Sequence, residues 1–83
     1  MFTINFFNVA GDRTGFAQIF ASSPESLYNM IHYTMETLLD ASPIGDWESN
    51  LFTLERCAFC SLDGQKYYVD HEWGTDVITV SER

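Results

Sequence analysis

Along the first nine positions apolar residues alternate with polar ones, Phe2, Ile4 and Phe6 interleaving with Thr3 and Asn5. That period of two predicts a half-buried strand, with Phe7 placing one aromatic on the other face. Ala10-Gly11-Asp12-Arg13-Thr14-Gly15 is turn chemistry, because glycine tolerates positive φ and aspartate bonds its own backbone. Alternation resumes from Gly15 to Ala21, with Phe16, Gln18 and Phe20 set against Ala17, Ile19 and Ala21. A β-hairpin is the natural product of these two segments.

The period then becomes helical. Leu27, Met30, Ile31, Thr34, Met35, Leu38 and Ala41 recur at helical spacing, and Glu25, Asn29, His32, Glu36 and Asp40 fall on the opposite side. Ser22-Ser23-Pro24-Glu25 offers two starts: Ser23 as N-cap with Pro24 as the first helical residue, or a capping box between Ser22 and Glu25. Pro43 biases Ser42 away from helical geometry, so a helix of about eighteen residues with one acidic side ends near Ala41 or Ser42.

From Ser42 to Asn50 the chain reads as a connector carrying Pro43, Gly45 and Trp47, the last between Asp46 and Glu48. Leu51 to Leu62 is strand-like, Asp63-Gly64 is a strong hairpin signal, and Gln65 to Trp73 returns. Gly74-Thr75 turns the chain into a last strand, Asp76 to Ser81. The order β-β-α-β-β-β places residues 1–83 in a single α+β domain, a mostly antiparallel sheet with one amphipathic helix packed on one face. One helix cannot easily cover both faces of a five-stranded sheet, so the second face is polar, covered by a partner, or both.

A two-residue loop at Asp63-Gly64 would fix the register. Leu62, Cys60, Ala58, Arg56 and Leu54 would then face Gln65, Tyr67, Val69, His71 and Trp73 on the helix side. On the open side Ser61, Phe59, Cys57 and Glu55 would face Lys66, Tyr68, Asp70 and Glu72. A bulge would reverse part of this scheme. Glu55 opposite Glu72, with Asp70 and Cys57 adjacent, makes a small acidic cluster, and like charges so placed repel by a few tenths of a kcal/mol, roughly. The plain reading is a solvated face where water and salt screen the repulsion. The sharper reading is a surface kept negative for a positive partner.

Composition favours the second question over others. Twelve acidic residues against four Lys or Arg give a formal net charge of -8 and a pI near 4.3. Direct nucleic-acid binding is disfavoured, because phosphate contacts need clustered Lys and Arg. At 46% hydrophobic and 16% aromatic the chain is too apolar for a disordered acidic tail. Two cysteines are too few for a stapled secreted scaffold. No apolar run approaches the roughly 20 residues of a membrane span, and the first residues lack the basic segment of a signal peptide, so a cytoplasmic protein is expected.

Chemistry-bearing groups are few. Cys57-Ala58-Phe59-Cys60 has metal or redox spacing, yet there is no second such pair, and in a strand residues three apart point to opposite faces. Two free thiols, one buried and one near the open face, are expected. His32 with Glu36 one turn later reads either as a base oriented by a carboxylate or as an exposed i,i+4 pair. No serine or cysteine nucleophile is matched to either histidine, no glycine-rich phosphate cradle is followed by Lys, and the expectation is a protein without catalytic residues, metal or cofactor. Trp47, and Phe59 with Tyr68, are candidate interface anchors; the plain reading of Trp47 is that it folds back to cap a small core.

Compact acidic chains of this size without enzyme motifs resemble phage or mobile-element inhibitors of bacterial defence, including anti-CRISPR and antirestriction proteins. The resemblance implies a partner with a basic, nucleic-acid-binding groove that an acidic domain occupies in the manner of a nucleic-acid mimic. Glu36, Asp40, Glu55, Asp70 and Glu72 are the charged candidates for that contact, with Trp47 and Tyr68 as anchors. Two other classes stand beside it: a homodimeric accessory domain joined through Phe59 and Tyr68, and a metal-binding module built from Cys57, Asp70 and Glu72.

Overall fold

In the computed structural model, which describes residues 1–45, 56–72 and 74–83, the alternating N-terminal segments form strands β1 (Phe2–Phe7) and β2 (Arg13–Ile19). The helical period gives α1 (Pro24–Leu39), followed by β3 (Ala41–Ile44), β4 (Arg56–Ser61), β5 (Lys66–His71) and β6 (Val77–Glu82). These strands make one sheet in the order β2-β1-β6-β5-β4-β3. Neighbours are antiparallel except β1 and β6, the first and last strands, which pair in parallel. The α+β class and the single helix on one face are therefore as expected. Because β2 and β3 are the two edge strands, α1 is the connection from one edge of the sheet to the other, and so one helix spans the whole face.

Both helix ends have local causes. Ser23 is the N-cap, in extended geometry (φ -153, ψ 162). Its Oγ accepts a hydrogen bond from the Ser26 amide at 3.1 Å, while Ser26 Oγ accepts from the Ser22 and Ser23 amides at 3.0 Å each. The capping box therefore runs from Ser23 to Ser26, and of the two starts the one with Pro24 as first helical residue is used. At the other end Asp40 takes the left-handed conformation (φ 50), which aspartate tolerates better than most side chains. The helix stops at Leu39, and Ala41 enters a strand instead.

That strand, β3, is an element the sequence pattern did not announce. Four residues containing a proline read as a connector, but β3 is an edge strand, where the missing N–H of Pro43 costs no ladder bond on its open side. It pairs with β4 from Ala41 opposite Ser61 to Ile44 opposite Ala58.

The β4–β5 register differs by one residue from the expected one. The Gly64 amide donates to the Ser61 carbonyl at 3.0 Å and the Ser61 amide to the Gln65 carbonyl at 2.9 Å. Leu62, Asp63 and Gly64 thus form the loop, with Gly64 at φ 87, the geometry of a type I turn closed by a left-handed glycine. One extra loop residue sends every side chain of β4 to the other face. Cys57, opposite Val69, and Phe59, opposite Tyr67, lie under the helix, while Ala58 and Cys60 are on the open side opposite Tyr68 and Lys66. Arg56 is opposite Asp70, not His71, and His71 instead sits beside Ile78 of β6. The expected partners Leu54, Glu55 and Trp73 lie outside the described residues.

The core is the seam between α1 and this face. Leu27, Tyr28, Ile31 and Met35 from the helix meet Ile4, Ile19, Phe59, Val69, Ile78 and Val80 from the sheet. Burial of each such side chain contributes about 1.5–3 kcal/mol. Phe59 is 0% exposed and so is among the anchors of the fold.

Candidate interaction surfaces

The structure divides the sequence-derived candidates between two sides of the molecule. Glu36 and Asp40 belong to α1 and its C-cap, whereas Tyr68 and Asp70 are on the open face of β5 and Glu72 follows that strand. They do not form one patch. Trp47 and Glu55 lie outside the described residues.

On the open side the acids are interleaved with cations. Asp70 and Glu72 line a shallow depression of about 300 Å³ with Thr75, Val77 and Thr79. In register, however, Asp70 is opposite Arg56, and Lys66 is two residues before Tyr68 on the same face. The Arg83 guanidinium lies 5.1 Å from the centre of the Tyr68 ring, a cation–π distance. Arg13 adds another cation, donating from Nη1 to Asn5 Oδ1 at 3.4 Å.

The helix side is different in kind. The α1 segment contains Glu25 and Glu36, is capped by Asp40, and carries neither Lys nor Arg. His32 Nε2 is 3.6 Å from Glu36 Oε2, the i,i+4 pair foreseen on the solvent side. The His32 ring also packs 6.3 Å from the rings of Tyr28 and Phe59, so its position is set by the core beneath it. Tyr33, 65% exposed, stands on the same outer surface.

The other proposed chemistries lose their geometry. Cys57 is buried under the helix, while Cys60 is partly exposed with Sγ 3.5 Å from the Ser61 carbonyl; both are free thiols, on opposite faces as expected, though with the two roles exchanged. Burial, and secondarily the charge of Asp70, pushes the Cys57 thiol above the ordinary range, which disfavours the thiolate needed by a metal or a nucleophilic reaction. Asp70 and Glu72 are across the sheet from Cys57, and among the described residues no three His, Cys, Asp or Glu converge as a metal-ligand group. Cys57, Asp70 and Glu72 are therefore not brought together as the expected metal set. Phe59, expected on the open face beside Tyr68, is instead wholly inside the core, so it is not a surface anchor.

One feature the sequence did not suggest is a cleft of about 260 Å³ lined by residues of β1, β2, α1, β5 and β6, with Phe6, Leu38, Tyr67 and Glu82 among them. Leu38 belongs to the apolar stripe of the helix yet is 58% exposed. Comparison of the chain with protein-family models, with curated proteins and with solved structures finds no match.

Proposed function

We propose that this chain is a small non-catalytic binding protein that sets its helix side against a basic protein surface. One observation carries the reading: at a net charge of -8, all four Lys and Arg belong to β2, β4, β5 and the C-terminal residue, and none to α1. Cations among the sheet-face acids shorten the reach of that face's field, whereas Glu25, Glu36 and Asp40 on the helix side act together. Such a surface speeds encounter with a positive groove and rejects negative competitors. Nucleic-acid-binding grooves of defence effectors are surfaces of that kind, and an inhibitor of the anti-CRISPR or antirestriction type, encoded by a phage or mobile element and working in the host cytoplasm, would occlude one sterically.

The test is affinity capture from bacterial lysate with the wild-type chain, a Glu36→Lys/Asp40→Lys variant and an Asp70→Lys/Glu72→Lys variant. The expected result is a basic nucleic-acid-binding protein retained by wild type, released by about 500 mM salt, lost with the helix variant and kept with the sheet variant. Retention indifferent to salt and to the helix substitutions would contradict the reading.

A further inference from the structure

The two edges of the sheet are not equally guarded. An edge strand leaves backbone amides and carbonyls without a ladder, and shortness, proline or charge commonly blunts it. β3 has two of these devices, a length of four residues and Pro43. β2 runs for seven residues without proline, and its one charge is Arg13 at the start. Its irregularity, between Phe6 and Phe7 of β1, is confined to that same start, so Gly15 to Ile19 is a regular edge.

The register fixes which groups this edge presents. The Thr3 amide donates to the Asp76 carbonyl at 2.7 Å, so Thr3 and Asn5 of β1 turn their backbone toward β6. Phe2, Ile4 and Phe6 turn theirs toward β2, opposite Ile19, Ala17 and Gly15. The amides and carbonyls of Phe16 and Gln18 are left pointing outward. Ile4, buried under the helix, lies opposite Ala17, so the side chains of Phe16 and Gln18 stand on the open face of the sheet, both exposed. The Arg13 guanidinium is 5.7 Å from the centre of the Phe16 ring on that face.

This edge is its own complement. In an antiparallel pair turned about Ala17, Phe16 of each copy faces Gln18 of the other, and each such pair exchanges two N–H···O bonds. On the helix side Ala17 meets the second copy's Ala17 and Ile19 faces the second copy's Gly15, small residues that leave the backbones room to approach. On the open side the two Phe16 rings are diagonal neighbours, within reach of one another. Charge selects the same occupant. No Asp or Glu occurs from Arg13 to Pro24, although the chain carries -8 overall, so two copies meet here without bringing carboxylates of this segment together. A basic partner is not drawn to an edge whose one charge is a cation.

We propose that β2 is a dimerisation edge: two copies join β2 to β2, antiparallel about Ala17, into one continuous sheet. The two-fold axis stands perpendicular to that sheet and leaves both α1 helices on the same side. The acidic helix surface is thereby doubled on one face. The inference goes beyond the docking reading above and does not rest on it.

The experiment is sedimentation equilibrium of the whole chain from about 5 to 500 μM, with amide hydrogen exchange recorded at both ends of that range. A monomer–dimer equilibrium is expected, with the Phe16 and Gln18 amides exchanging severalfold more slowly in the concentrated sample. Raising salt from about 50 to 500 mM should tighten the dimer severalfold by screening two chains of like net charge, the opposite sign to docking on a basic surface. Phe16→Lys, at a position 62% exposed, sets like charges near one another, and Gln18→Pro removes an outward donor; each should weaken the dimer about tenfold or more. Ile44→Lys, on the other edge, should leave it unchanged. Far-UV circular dichroism separates lost pairing from lost folding, and the two β2 variants act by different means, so either one suffices. A monomer at every concentration, a dimer that salt dissociates, Phe16 and Gln18 amides that exchange equally fast in both samples, or a dimer kept by Phe16→Lys and lost with Ile44→Lys would each overturn the proposal.

Discussion

Cys57 shows how a single residue can look like a site and serve the core. Its thiol is held protonated by burial and by the neighbouring Asp70 charge, and Tyr28 beside it is pushed upward by burial and then by Cys57. Unfolded thiols titrate near about pH 8.5 and tyrosines near about 10. Above those values the folded chain retains protons that the unfolded chain releases, so stability is full below about pH 8.5 and falls as pH rises through the two ranges. A denaturation midpoint measured between about pH 7 and 10.5 should decline in two legs. Cys57→Ala should lower the midpoint at all pH values and remove the first leg, leaving a flat profile to about pH 9.5. A variant profile parallel to that of wild type would show that the thiol contributes nothing.

At the level of elements, one loop residue decides which side chains the sheet presents. Gly64 stands at φ 87 with open space where a Cβ would be, so Gly64→Ala meets only the conformational cost of the left-handed region, about 1 kcal/mol. For a domain of this size the melting temperature should drop by roughly 4–8 °C. A drop of under a degree would mean that the turn tolerates a side chain and that glycine does not hold the register. The hairpin itself and the helix were legible, because each is written in local signals, alternation and a 3.6-residue period, while the serines before Pro24 left two starts open, of which Ser23 is the one used. The faces of β4 were not legible, since two- and three-residue loops at Asp63-Gly64 share the same local signal and differ only in what they bury. Phe59 settles the matter in the folded chain, where exposing a phenylalanine in exchange for Cys60 would forfeit about 1 kcal/mol or more. The pattern also hid β3, because a proline in a four-residue segment is admissible only at an edge, and edges are a property of the assembled sheet.

For the whole molecule, the legible quantity was total charge and the hidden one was its distribution. Net charge is read by counting, but that Arg56 falls opposite Asp70, that Lys66 belongs to β5 and that Arg83 reaches the Tyr68 ring follow only once the strands are assembled, whereas α1 holds neither Lys nor Arg. Hence Asp70 and Glu72, prominent in the sequence, yield to Glu36 and Asp40 as candidates for binding. The Glu82 cleft, made by five separated segments, was out of reach of any local signal. The most direct test of this segregation is a titration of the ¹⁵N-labelled chain with a ten-lysine peptide, about 50 mM salt, mapped residue by residue. Shifts should gather on α1 and its C-cap, weaken severalfold in Glu36→Gln/Asp40→Asn, and persist in Asp70→Asn/Glu72→Gln. Shifts centred on β5 and the β5–β6 turn, unaltered by the helix substitutions, would contradict the account.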